Sequence, residues 1–189
     1  MYILDYSVYS LSIEKTKIAF RIFYSIFDKI AYFINLYLSL KNNPSKVSFR
    51  KIWFTKLNKH LGLNEIISQS KNWALRGLYW LSKDLFEKEF DVVIEPQAKE
   101  IANIRNYIEH KSFKIVESFN HNWTQETEIY EIDRDLFTKK TFRLLKLSRS
   151  ALMYLSFLIY EEESRREKDR GNGKIIPINF IKLRDEYKT

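Results

Sequence analysis

Between residues 13 and 40 the side chains Ile18, Ile22, Ile26, Ile30, Ile34 and Leu38 recur at every fourth position, and Phe23, Phe27, Ala31 and Phe33 widen the band. That is the spacing of one face of an α-helix. At 1.5 Å per residue such a helix runs roughly 40 Å, nearly the full length of a small domain, so every other element must pack along it. Arg21, Asp28 and Lys29 interrupt the run at internal positions, where a bilayer makes charge expensive. The segment therefore reads as a core helix of a soluble bundle, with no membrane association. Ser10 or Ser12 stands where an N-cap is needed. Lys41-Asn42-Asn43-Pro44 ends the helix, because Asn accepts left-handed turns and Pro cannot continue the ladder.

Only four glycines and three prolines punctuate the 189 residues, so helices should dominate. Residues 64–90 support a helix, or a short helix followed by a long one, with Leu75, Leu78, Tyr79, Leu81, Leu85 and Phe86 at helical spacing. Residues 91–95 read as a loop. Pro96 suits the first turn of the next helix, which the pattern carries to about Val116 on an apolar stripe of Ile101, Ile104 and Ile108. Residues 118–125 are the plainest loop. One more long helix is predicted from about Asp133 to Asp169, with Leu144, Leu147, Ala151, Leu155 and Leu158 inward; near its end Glu161 precedes Arg165, and Glu162 precedes Arg166, by four. Gly171 and Gly173 stop it. The expected architecture is all-α: an up-and-down bundle of four to five helices with a short extended C-terminal tail. Its parts are a lead-in over residues 1–12, the bundle over 13–170 and the tail over 171–189.

The net charge of +8 is unevenly distributed. Residues 29–64 carry seven Lys or Arg and residues 136–160 carry five, without one Asp or Glu in either window. Those windows hold twelve of the 32 basic residues and none of the 24 acids, so elsewhere acids outnumber bases by four. Such asymmetry suggests a face for a polyanion, although basic residues can equally ring a solvated bundle. Within residues 47–60, Arg50, Lys51, Lys56 and Lys59 interleave with Phe49, Trp53 and Phe54. The segment either holds phosphates and stacks bases, or plugs the bundle end with its aromatics and leaves its lysines wet. Without cysteine there is no disulfide framework or thiolate metal site, and Met1 is followed by Asp5 and Glu14 rather than a basic start and an apolar run. A cytoplasmic protein is expected. His60, His110 and His121 lack any short ligand spacing, and no cofactor motif is present.

The stretch Ile101-Ala102-Asn103-Ile104-Arg105-Asn106-Tyr107-Ile108-Glu109-His110-Lys111 has a second face. On a helical wheel Asn106 and His110 stand one turn apart, about 140–180° from the isoleucine stripe, and Arg105 lies between the two faces. Arg105-Asn106-Tyr107-Ile108-Glu109-His110 resembles the signature of the HEPN superfamily: an arginine, four to six residues of which the first is often polar, then a histidine. Two further stretches carry the resemblance to a larger bacterial HEPN subgroup. Phe27-Asp28-Lys29-Ile30-Ala31-Tyr32-Phe33-Ile34-Asn35 is similar to its opening helix, and Leu78-Tyr79-Trp80-Leu81-Ser82-Lys83-Asp84-Leu85 to its penultimate helix.

The resemblance implies a helical bundle in which two motif helices meet across a homodimer interface and form a metal-independent ribonuclease site, as in toxin-like or phage-defence RNA cleavage, with a silencing antitoxin or a fused regulatory domain as partner. In such chemistry the 2′-OH of RNA attacks the adjacent phosphorus, leaving a 2′,3′-cyclic phosphate and a 5′-OH. Histidine changes charge near neutral pH and is the natural proton handler, which makes His110 the candidate. Arg105 would clamp the phosphate as charge builds, and Asn106 would orient the imidazole or bond the phosphate. Arg50, Lys51, Lys56 and Lys111 are the candidate RNA contacts. Other readings stand beside this one. His110 can be an exposed helical histidine without a role while Arg105 pairs with Glu109, and the bundle can be a non-catalytic RNA-binding or dimerisation module of a larger protein.

Overall fold

A computed structural model describes residues 10–86, 98–117 and 129–170. The lead-in up to residue 9, the loop over 118–125, His121 and the tail over 171–189 fall outside them. The order is α1 (Leu11–Tyr37), α2 (Glu65–Gln69), α3 (Trp73–Phe86), α4 (Ala98–His110), β1 (Ser112–Val116), β2 (Ile129–Asp133) and α5 (Arg134–Arg170). The architecture is the expected mostly helical bundle: α5 packs along both α1 and α3, and α4 lies against α3 and α1. Among the described residues no helix is long and apolar enough to cross a membrane.

Ser10 is the cap of α1, its hydroxyl accepting the Ile13 N–H at 3.3 Å. The buried face of α1 keeps Ile30 and Ile34 of the four-residue repeat read from the sequence and loses its N-terminal end. Phe20, Tyr24, Phe27, Ala31 and Ile34 are buried, whereas Ile18 and Ile22 are 52% and 53% exposed. A strict repeat of four drifts by about 40° at each step on a helix of 3.6 residues per turn. One end of such a stripe cannot share a face with the other, and the aromatics supply the missing half. Phe20 stacks on Phe137 of α5 at 5.6 Å between centroids. Where α3 crosses α5, Gly77 lets the Tyr154 ring approach so closely that an added Cβ would stand 2.8 Å from it. A glycine inside a helix costs roughly 0.5–1 kcal/mol relative to alanine, and here it admits the neighbour's ring. On α5 the charged pairs also differ from expectation: Arg165 pairs with Glu162, and Arg166 with Glu163 at 2.8 Å, each three residues apart.

The motif helix does not continue to Val116. It ends at His110, and residues 112–116 form β1, paired in parallel with β2 so that Ser112 faces Ile129 and Ile115 faces Ile132. A parallel pair needs a connection of about a dozen residues, which residues 117–128 provide. Ile115 and Ile132 are buried, and Phe113 packs on Phe137 at 5.3 Å. The small sheet therefore closes one end of the core. Its short, β-branched strands carry a period of two that the stronger helical pattern upstream masks in the sequence.

Between α1 and α2 the chain makes tight turns anchored through Phe49. The Phe49 N–H donates to Asp28 Oδ1 at 2.9 Å, and its carbonyl accepts from Trp53 Nε1 at 2.6 Å and from Ser82 Oγ at 3.0 Å. Phe49 and Trp53 are fully buried and Phe54 nearly so. These aromatics are core plugs, and stacking of bases on them is ruled out by their burial. Their cationic neighbours Arg50, Lys51, Lys56 and Lys59 are exposed. Asp28→Ala leaves the Phe49 N–H without its partner and should cost about 1–3 kcal/mol, measured by urea unfolding, with helix content retained in the folded state.

Candidate functional site

On α4 the isoleucines behave as the wheel requires. Ile101 and Ile104 are fully buried and Ile108 nearly so, whereas Asn103, Asn106 and His110 are exposed. Arg105, on the border, is half-buried and reaches toward α1, where its guanidinium lies over the Tyr24 ring at 5.5 Å from the centroid. Stacking occupies the flat face of a guanidinium and leaves its in-plane N–H donors for a planar anion. One nitrogen donates to Asn106 Oδ1 at 3.4 Å. Asn106 is thus turned to Arg105, and among the described residues no hydrogen bond joins it to His110. The Arg105–Glu109 pair allowed by the sequence does not form, because Glu109 is taken by Arg21 of α1 at 3.4 Å.

Arg21 also donates to the Ile108 carbonyl at 3.0 Å. The last carbonyls of a helix lack intrahelical partners, so this bond caps the motif helix two residues before His110. Beyond it Lys111 lies over the Tyr107 ring at 4.9 Å, and Tyr107 packs on Tyr130 of β2 at 4.8 Å. The end of α4 is held from α1 on one side and from the sheet on the other. Arg21 and Tyr24 are contacts that sequence reasoning missed. The signal was present: two polar-tipped residues three apart, Arg21 being a charge inside an apolar helix. Nothing in one helix says which other helix they meet.

Tyr24 also gathers the charges around it. Burial pushes its phenol far above the ordinary tyrosine range; the positive charge of Arg105 opposes this, Asp28 adds to it and Arg50 opposes it again. Arg50, from the basic turns, and Arg105, from the motif, therefore act on the same ring. The other candidate RNA contacts are spread further. Lys51 lines a cavity with Arg50, Lys56 does not line it, and Lys111 is on the far side of α4 at Tyr107. In the second basic window Lys140 is buried and paired with Glu100 of α4, so that charge serves the packing of α4 on α5. Among the described residues no three His, Asp or Glu side chains come together as a metal site.

The chain matches the model of LA2681-like HEPN domains over residues 1–162 and belongs to that family. No curated protein and no solved structure matches it.

The raised Tyr24 ionisation has a sign that can be measured. Above about pH 10, where an ordinary tyrosine ionises, the unfolded chain loses the proton that folded Tyr24 keeps. The folded state then binds more protons, so stability falls as pH rises. Tyr37, pushed up to about 12 by burial and by its hydrogen bond to Glu163, contributes in the same direction. Denaturant unfolding at pH 8 and pH 11 should show this loss, and Tyr24→Phe should reduce it. An equal loss in the variant would mean that Tyr24 is not the group.

Proposed function

We propose that this HEPN domain is a metal-independent endoribonuclease that cuts single-stranded RNA through attack of the 2′-OH, in toxin-like or phage-defence RNA cleavage, with Arg105, Asn106 and His110 as its catalytic residues. The observation that supports the reading best is the posture of Arg105. A motif arginine is held across the Tyr24 ring, with Asn106 bonded to it and His110 exposed one turn further on the same helix.

His110 moves the proton, taking it from the 2′-OH or giving it to the departing 5′-oxygen. Arg105 meets the phosphate as negative charge grows on its non-bridging oxygens. Asn106, by accepting from Arg105, orients that guanidinium rather than the imidazole, which revises the role expected from the wheel. One motif supplies a single imidazole, and a homodimer would bring a second. Support for a dimer comes from α1, whose outward face leaves Ile18 and Ile22 more than half exposed. Arg21, beside Ile22 in sequence, reaches the end of the motif helix, so this apolar face adjoins the motif. RNA would be held along Arg50, Lys51, Lys56 and Lys111 by charge.

Purified protein should cleave single-stranded RNA in EDTA, leave a 2′,3′-cyclic phosphate and fail on a strand whose 2′-OH is replaced by hydrogen at the cleavage site. Arg105→Ala and His110→Ala should each lower the rate by about 10²–10⁴ while keeping helix content and most RNA binding. Cutting by His110→Ala at the wild-type rate would remove His110 from the chemistry.

If the outward face of α1 joins two copies, Ile18→Glu/Ile22→Glu should convert the dimer seen by light scattering at tens of micromolar into a folded monomer with little activity. A wild-type monomer at that concentration would count against the composite site.

A further inference from the structure

The turns after Phe49 and the face of α3 enclose a cavity of about 340 Å³ away from the motif helix, within the range of small-ligand sites. Its inner wall is aromatic: Phe54 is buried, while Tyr79 and Phe86 of α3 are half-buried. Its rim is cationic, with Arg50, Lys51 and His60 exposed. Lys59 lies on the same wall, and Lys83 stands over the Tyr79 ring at 5.1 Å. No carboxylate is among the described residues that line it.

The backbone that shapes the cavity is costly. Lys56 and Leu57 are consecutive non-glycine residues in the left-handed region, with φ of 50° and 58°, before Gly62 closes the turn at φ 77°. Such conformations are strained for residues with a side chain and persist only where the surroundings hold them. Here hydrogen bonds from the Thr55 N–H to the Gly62 carbonyl at 3.0 Å and from the Asn64 N–H to the Trp53 carbonyl at 2.9 Å do so. Leu57, Asn58, Lys59 and His60 are thereby folded back toward Tyr79 and Lys83.

We infer that this cavity is a nucleotide subsite for single-stranded RNA: the phosphate sits on the Arg50, Lys51, Lys59 and Lys83 side, and the base against the Tyr79 and Phe86 wall. Cationic groups bordering a half-buried aromatic wall suit that pair of moieties, one charged and one flat. Arg50, one of the expected RNA contacts, lines the cavity. The inference rests on the ribonuclease reading for the purpose of the strand, and gives Lys59, Tyr79 and Lys83 a part that the family motif does not.

The test separates the cavity from diffuse basic charge. Lys51→Ala/Lys83→Ala removes two cations from the cavity, whereas Lys41→Ala/Lys46→Ala removes two exposed cations of the same basic window that do not line it. Affinity is measured by fluorescence anisotropy with a 2′-O-methyl oligonucleotide, which cannot be cut, and Tm is measured for each variant. The cavity pair should weaken binding about tenfold or more and flatten the salt dependence, with the control pair losing less than half of that. Equal losses would overturn the subsite. AMP should compete better than ribose 5-phosphate or inorganic phosphate, because only it carries a base, and equal competition would reduce the cavity to an anion site and overturn the assignment. If AMP binds but the oligonucleotide fails to displace it, the cavity serves a free nucleotide and the strand assignment falls. Binding is read without cleavage, so wild type that binds through the cavity and never cuts sinks the ribonuclease reading alone. Wild type that cuts while both variant pairs bind alike sinks the subsite alone.

Discussion

The peptide groups of Phe49 are held from three directions: a carboxylate on α1 takes the N–H, and the Trp53 indole of the same turns shares the carbonyl with a hydroxyl from α3. A buried peptide must find partners or lose free energy comparable to a broken hydrogen bond. Two of these partners, Asp28 and Ser82, come from helices far apart in sequence, and their bonds fix where the irregular segment lies between them. Around them Phe49 packs on Phe27 at 5.2 Å and on Trp53 at 5.5 Å. Because the aromatics are committed inward, the cations between them have only the surface left. The basic face is a consequence of how the core is closed.

That constraint gives two of the family-like stretches a physical meaning. Asp28 and Ser82, one in each, grip the same residue. Asn35, at the end of the first, is buried and holds both the carbonyl and the N–H of Asn42, turning the chain out of α1. Through Asp28, Asn35 and Ser82 both stretches act as scaffolding. The third stretch holds the residues proposed for catalysis, and α1 supports it too, through Tyr24 under Arg105 and Arg21 at the last turn of α4. A guanidinium resting on a ring gains roughly 0.5–1 kcal/mol at a partly exposed site. That is small for stability, yet enough to favour one posture of a long side chain.

The net positive charge has more than one use. Lys140 is spent on Glu100 between two helices, and Arg21 on Glu109 and a helix end. Arg50 and Lys51 face a cavity, and Lys111 covers a tyrosine ring. Charge windows counted along the chain cannot separate these fates, since each depends on what another element brings within about 4 Å, where pairing becomes effective.

Sequence by itself determined the helices, because their signals are local. Hydrophobic spacing, a serine cap and an Asn-Pro break each act within a few residues, and scarce glycine and proline leave little alternative. It determined the two faces of α4 for the same reason: a wheel fixes the angles between Ile104, Asn106 and His110 wherever the helix is placed. Tertiary structure alone decided which half of α1 is inside, since a repeat of four drifts around a helix and only neighbouring rings select the buried arc. It decided that residues 112–116 leave the helix for a strand, because a five-residue strand is stabilised by a partner 17 positions later in register, Ser112 against Ile129. It also decided that Arg105 turns to Tyr24 instead of Glu109. That outcome is set by Arg21 taking Glu109, a contact across 88 residues, and no pattern within one helix can express a competition between two.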